Sequence, residues 1–430
     1  MRKRICLCFL LLAVAASVAF GAGAREKINL SLMHFHTKES KDADAETFYA
    51  MIEKFQAKNP QIVLDMDITD IDSFYMKIKT LAAANELPDI FPIRSSMVNT
   101  LAQNGLIKPL NAELAKDQKW RDGFVEGAFG DFRRGEDIYG IPWAIGSTSL
   151  VYYNTAIFAE AGIKKFPETW TEFKTAIKKL KDKGYIPIAL GNKGKWVAES
   201  CILSTLGDRF TGTEWFYRIL ERKGAKFTDA EFVKALAALQ ELAEIGAFNP
   251  DMNSLDANQM KTLYFNKKAA MFIEGHWAIN SIMEKAPSDV IKATRLSILP
   301  AVPGGKGDAH SMSSGSGMGF QINPALKGAK REAALSVIKA VICEEAATIA
   351  IEKNGTPVYR PGRCDQSKLS PLKVEYMELT QKTKFTPVYD LHLSPPIIEV
   401  MSTGMQELLL GIITPQKLAE RIQQEYEREY

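Results

Sequence analysis

Between residues 28 and 91 the spacing of apolar side chains switches back and forth between two and about 3.6, which limits the fold more than any other feature. Ile28 to Met33 alternates as a strand. Phe48, Met51, Ile52 and Phe55 then recur at i, i+3, i+4 and i+7, one face of a helix that Asn59 and Pro60 stop. Ile62, Leu64, Met66 and Ile68 alternate again, and Tyr75, Ile78 and Leu81 mark a second helix from about Asp72. Leu87 to Phe91 returns to a strand. Strands joined through helices pair in parallel by right-handed crossovers, so the spacing predicts an α/β fold. A TIM barrel needs eight such units evenly spaced, and the chain has fewer.

The same pattern resumes after an interruption. Gly140-Ile-Pro-Trp-Ala-Ile-Gly146 is a turn, a proline and a tryptophan feeding into an apolar strand, Leu150 to Tyr153. That order suits a segment crossing between two lobes. Thr169 and Glu172 have the spacing of a capping box, Trp170, Phe173, Ile177 and Leu180 form the buried stripe behind it, and Gly184 stops the helix. A strand over Ile186 to Leu190, helices over Asp229 to Ile245 and Ala257 to Phe265, and a strand over Ala269 to Ile273 follow. Pro300 to Gly319, dense in glycine and serine, reads as a loop before a short strand at Phe320 to Ile322. Helical spacing dominates from there to the end, beginning with Lys330 to Ala347.

The N-terminus has the build of an export signal. Arg2, Lys3 and Arg4 precede an apolar run, Ile5 to Val18, too short for an ordinary membrane span, and Ala22-Gly23-Ala24 offers a cleavage site. Cys6 and Cys8 lie in or before the apolar run, so no cysteine is placed for lipid attachment. A soluble exported protein needs a compartment that retains it, which points to a periplasm. Loss of residues 1–24 removes three of the 54 basic residues and none of the 51 acidic ones, leaving a neutral chain. That balance argues against nucleic acid or an anionic membrane as partner. The remaining Cys201, Cys343 and Cys364 are an odd number, so stability must come from cores rather than from a disulfide framework, with buried thiols expected and a Cys343–Cys364 bridge as the alternative.

Four further segments, in order, carry a resemblance. They are Phe55 to Val63, Leu87-Pro-Asp-Ile-Phe91, Phe265 to Trp277 with its Lys268-Ala-Ala-Met271 and Gly275-His-Trp277, and Asn354-Gly-Thr-Pro-Val-Tyr-Arg360. With the crossover at Gly140 to Asn154 they resemble the family 1 extracellular solute-binding proteins, the receptors of ABC-type sugar importers. The resemblance runs from about residue 27 to 360. It implies a two-lobe, type II periplasmic-binding-protein-like fold with a ligand cleft between lobes joined by hinge segments. It also implies an N-terminal lobe of residues 25–143 and 316–346 and a C-terminal lobe of 144–315 and 347–430. The implied partners are a carbohydrate ligand and membrane permease subunits, for a monomeric receptor that uses no cofactor and catalyses nothing.

Sugars offer hydroxyl edges and apolar C–H faces, so a site for them wants flat aromatic platforms and short polar groups. Trp143, Trp196 and Trp277 stand at strand exits or glycine-flanked turns, with core filling as their alternative role, while Trp120 and Trp170 read as packing residues. Glu274, beside Gly275 and Trp277, reads as a lone carboxylate that would hydrogen-bond hydroxyls. Arg94 and Ser95 follow the Pro-Asp-Ile-Phe strand where the family places ligand contacts; a surface ion pair is the other role for Arg94. Gly315, with Ser313 before it, offers either backbone N–H groups or hinge freedom. Tyr359 and Arg360 are expected at the cleft edge, and His36 as a polar contact at the exit of the first strand. His34 and His36 with Glu39 are the basis of a rival metal-receptor reading. A polyamine receptor, an amino-acid receptor and a carbohydrate-active enzyme are rivals too. Gly315-Ser316-Gly317 lacks the glycine spacing of a nucleophile elbow, and Lys306 is followed by glycine where a phosphate loop needs Ser or Thr.

Overall fold

The computed structural model describes residues 27–40 and 42–429. The signal segment expected over residues 1–24 lies outside them. The chain opens with β1 (Ile28–His34), α1 (Ala43–Lys58), β2 (Ile62–Ile68), α2 (Ile71–Ala84) and β3 (Ile90–Arg94), then reaches the two-residue β4 (Ile141–Pro142). Asp42 caps α1 by accepting from the Ala45 N–H, and Phe48, Met51, Ile52 and Phe55 are its buried face. β1 lies parallel to both β2 and β3, as the strand–helix alternation requires.

A hinge strand, β5 (Gly146–Ser147), leads into the second lobe. There β6 (Leu150–Asn154), α3 (Trp170–Asp182), β7 (Ile186–Ala189), α4 (Ala257–Phe265), β8 (Ala269–Glu274), α5 (Ala278–Lys285) and β9 (Thr294–Ile298) build a four-stranded sheet in the order β9-β6-β8-β7. The capping box at Thr169 and Glu172 forms as its spacing predicts, and Trp170, Phe173, Ile177 and Leu180 are buried. The chain then returns through β10 (Ser311–Gly315) to β11 (Met318–Ile322), which joins the first sheet antiparallel to β3 and β4, in the order β2-β1-β3-β11-β4.

Two expectations change here. The stretch from Pro300 to Gly319 is not all loop: its second half is β10, which pairs with Gly146 and Ser147 of β5 on one side and with β12 (Lys384–Thr386) on the other. Its small residues serve close approach rather than mobility. A side chain at Gly315 would stand 2.4 Å from Leu391 Cδ1 and 2.8 Å from Asp131 Oδ2. Ser313 is tied in as well, since its N–H donates to the Thr205 hydroxyl at 2.9 Å.

The second change concerns the lobe boundary. The helix expected over Lys330 to Ala347 is two, α6 (Gly328–Val341) and α7 (Glu344–Glu352), and both pack on α1. A boundary between residues 346 and 347 therefore falls inside a helix of the first lobe. The chain stays there through Val358, whose carbonyl accepts from Val125 N–H at 2.8 Å, and crosses between Arg360 and α8 (Pro371–Thr380). α8 packs on β9 of the second lobe. α9 (Tyr389–His392), α10 (Pro395–Leu409) and α11 (Pro415–Arg428) complete the chain.

Each lobe has its own core, one around Leu30, Ile90 and Ile338 and the other around Tyr152, Phe173 and Leu239. Cys201, Cys343 and Cys364 are free thiols, the first buried and the others half-buried. No described helix is long and apolar enough to cross a membrane. Because the Leu391 and Asp131 side chains leave no room for a Cβ there, Gly315→Ala is expected to lower stability by about 1–3 kcal/mol, read as a reduced urea midpoint with an unchanged slope.

Candidate functional site

The residues singled out in the sequence fall into three groups. The first surrounds Trp143, which leaves β4 and half-buries its ring against Phe320 at 4.8 Å, His34 at 5.5 Å and His36 at 6.1 Å. His34 and His36 are both buried, and the His36 N–H donates to His34 Nδ1 at 3.0 Å. Burial drives the His36 pKa down to about 4, with nearby Asp42 partly opposing, and keeps His34 well below its ordinary value. These rings line a cavity of about 40 Å³ inside the first lobe, with Tyr359 and Cys343 on its wall. Among the described residues no three His, Cys, Asp or Glu side chains gather in a way that could hold a metal ion. Tyr359 stacks edge-on to Phe124 at 5.2 Å and fills the space beside Gly123, while Arg360 is exposed.

The second group stands on the other lobe. Trp196 begins a π-helical turn, Val197–Leu203, and Trp277 begins α5; their ring centroids are 6.1 Å apart. Trp277 is 38% exposed, and Trp196 is half-buried with part of its surface against the second lobe's core. Glu274 ends β8, is buried, and is not the lone carboxylate expected from the sequence. Both its oxygens lie 3.1 Å from Lys261 Nζ, itself buried on α4, and Oε1 accepts from Trp277 Nε1 at 2.8 Å. Its charge is therefore matched within the lobe, and it holds the Trp277 ring in place. The other tryptophans are structural: Trp120 and Trp170 are buried, and Trp215, also buried, stacks on Phe232 at 5.2 Å.

The third group joins the lobes. Arg94, at the end of β3, donates from Nη2 to Asp390 Oδ2 at 2.6 Å and lies 5.0 Å over the Tyr75 ring. Asp390 is buried, so Arg94 makes an inter-lobe ion pair rather than a surface one. Ser95 donates from its hydroxyl to the Leu391 carbonyl at 2.6 Å, and Asp131 lies 3.3 Å from His392 Nε2. α9 belongs to the second lobe, where Tyr389 stacks on Phe216 at 4.4 Å. Gly315, on the hinge strand, touches this group through Leu391 and Asp131.

Sequence reasoning missed Lys261, Glu199 and Asp390. Glu199 did leave a signal, a single charge inside the apolar and small-residue run from Trp196 to Leu206. Asp390 left a similar one, the single formal charge between Lys384 and Glu399, and so did Lys261, the single formal charge between Asp256 and Lys267.

The description of the bacterial extracellular solute-binding proteins matches residues 40–347, most of the chain. The chain belongs to that family. Among its relatives are the multiple sugar-binding protein of Streptococcus mutans, 24% identical over 267 residues, and the mannitol-binding protein of Pseudomonas aeruginosa, 26% identical over 259 residues. These matches take in 58% and 57% of this chain and 58% and 56% of the relatives. The chain thus spans a little over half the length of the curated relatives it matches. A solved chitin oligosaccharide binding protein is similar over almost the whole fold, with a TM-score of 0.83, 27% identity, and coverage of 94% of this chain and 98% of the other. The family and these relatives are binding proteins, and the family's place is outside the cytoplasm.

Two outcomes follow for this extracellular solute-binding protein. Glu274→Ala leaves the Lys261 ammonium buried without its partner and is expected to cost about 3–5 kcal/mol in denaturant unfolding. Because the folded His36 pKa lies below its unfolded value, the unfolded chain takes up a proton that the folded chain refuses. Stability is therefore lost as pH falls from about 6.5 toward about 4. His36→Gln is expected to flatten the fall in Tm across that window; an unchanged pH profile would show that His36 is not the group being titrated.

Proposed function

We propose that this chain is the substrate receptor of an ABC importer. It would capture a neutral carbohydrate between its lobes and deliver it to a membrane permease, with no chemistry of its own. The observation that carries the reading is the pairing of Trp196 and Trp277. Two indole faces lie beside each other on the second lobe, one of them 38% exposed, and Arg94 and Ser95 supply polar contacts between the lobes. Indole faces stack on the C–H faces of sugar rings, and polar groups at the lobe junction meet hydroxyls. Trp143 would be the platform on the first lobe, and His36, Gly315, Tyr359 and Arg360 would lie at or behind the cleft wall. The names of the relatives, which bind sugars, a sugar alcohol or chitin oligosaccharide, support the same ligand class.

The receptor would act as a periplasmic monomer after loss of the segment over residues 1–24. Closure of two lobes about a hinge converts ligand binding into a shape that a transporter recognises, and a ligand shifts that equilibrium only by its differential affinity for the two states. The lone-carboxylate premise for Glu274 does not hold, so its part in the proposal is to fix the Trp277 ring rather than to bind.

The test is a thermal shift of the chain against mannitol, galactose, stachyose and diacetylchitobiose, with spermidine, an amino-acid mixture and Zn2+ as controls. A ligand at about a hundred times its Kd adds about 2.7 kcal/mol to the folded state, a readily measured rise in Tm. A saccharide response with no new product supports the receptor reading, and a response to the controls alone sinks it. Trp277→Ala is expected to weaken saccharide binding about tenfold or more while the protein stays folded, since its ring is only part-buried. Unfolding of that variant would instead assign Trp277 to the core.

A further inference from the structure

Glu199 is buried to 1% exposure on the π-helical turn Val197–Leu203, and neither of its carboxyl oxygens has a hydrogen-bond partner. The nearby Ser204 hydroxyl donates at 3.2 Å to the Glu199 backbone carbonyl and lies close enough to the carboxyl to lower its pKa. π-turns inside helices recur at functional sites because the extra residue re-aims a side chain. α9 packs between this turn and the 3-10 turn Ser95–Met97 of the other lobe, which brings Asp390 and Arg94 alongside. Asp390 uses Oδ2 for Arg94, but its Oδ1 is unpartnered, and so is the Arg94 Nε–H. Four buried polar atoms thus meet at the junction of the lobes with their hydrogen bonds unmade. Leaving such groups unsatisfied costs about 1–3 kcal/mol each. A fold that gains nothing by them keeps apolar residues there.

The charges narrow what would satisfy them. Arg94 and Asp390 cancel. Burial first, and Asp390 next, raise the Glu199 carboxyl well above the ordinary carboxylate range, with Arg94 and the Ser204 hydroxyl opposing, a direction that favours the protonated acid. The unmet groups are then two donors, the Glu199 O–H and the Arg94 Nε–H, and two acceptors, the Glu199 carbonyl oxygen and Asp390 Oδ1. A cation would answer only the acceptors and an anion only the donors. Adjacent hydroxyls of a neutral sugar answer both, because each hydroxyl donates and accepts.

We propose that Glu199, Asp390 and Arg94 form a subsite that reads a pair of adjacent hydroxyls on a neutral sugar. Arg94 comes from one lobe and the two carboxyl groups from the other, so parting the lobes opens the subsite and closing them completes it. The inference rests on the carbohydrate reading above and adds the residues that select among sugars.

Titration calorimetry of the full chain with mannitol, galactose, stachyose and diacetylchitobiose tests it, alongside melting of the ligand-free protein. Glu199→Met keeps the shape and removes the unmet groups. Its ligand-free Tm is expected to rise by a few degrees while Kd for the bound saccharide rises about tenfold or more. Glu199→Gln, which keeps a donor and an acceptor, is expected to hold Kd within about threefold of the unsubstituted chain. A higher Tm with an unchanged Kd in Glu199→Met would overturn the subsite and leave these groups to solvent alone. Equal losses of affinity in the Gln and Met variants would overturn the protonated acid. Should Glu199→Met fail to fold, Asp390→Asn carries the test, and an unchanged Kd there overturns the proposal. If none of the four saccharides binds the unsubstituted chain, the receptor reading itself falls, a result separate from any of these.

Discussion

Backbone that passes from one lobe to another leaves both cores behind, yet its N–H and C=O groups still need partners. Here the need is met by laying the crossing strands β5 and β10 side by side, with β12 of the second lobe along the other edge of β10 in a three-stranded ribbon. That ribbon dictates much else. Side chains packed against it leave no room for a Cβ at Gly146, which would meet the His276 ring at 2.3 Å, or at Gly315, which would meet Leu391 and Asp131. Ser147 and Ser313 on it hydrogen-bond to the Tyr376 and Thr205 hydroxyls.

Around this hinge the second lobe carries a buried polar layer that most cores lack. Lys261 and Glu274 neutralise each other and steady Trp277; beyond Cys201 lie Glu199 and Asp390, paired incompletely with Arg94 of the first lobe. A buried ion pair is weak evidence of stability, because desolvation offsets much of its attraction. Its value lies in orientation. The first pair fixes an aromatic face, and the second leaves donors and acceptors facing the junction.

The repeating elements were legible because period alone sets them. The apolar positions of α1, β2, α3 and α4 needed only the 3.6 and 2.0 spacings and their caps, and α4 begins and ends where the spacing put it. β10 was not legible, since its Ser-Met-Ser-Ser-Gly composition reads as flexible until a neighbouring strand supplies the pairing. The break between α6 and α7 was hidden in the same way: Ile342 and Cys343 suit a helix, and only packing on α1 turns the chain there. Trp143, Trp196 and Trp277 could be chosen by their flanking glycines and strand ends. The partners of Arg94 and Glu274 could not, because a carboxylate 296 residues away and a lysine on a neighbouring helix have no spacing that announces them.

β3 completes its sheet only when Ile90 finds Ile322, and α1 is covered only after α6 and α7 have been made. The first lobe is thus written in pieces separated by the larger part of the second lobe. Chains dominated by such distant pairings fold slowly, because the entropy of closing long loops is spent before the contacts form. A nascent chain of this design remains without a finished first domain until nearly all of it has been synthesised. That delay keeps it extended and threadable, the condition in which a polypeptide can be passed through a narrow protein channel and only then acquire its shape.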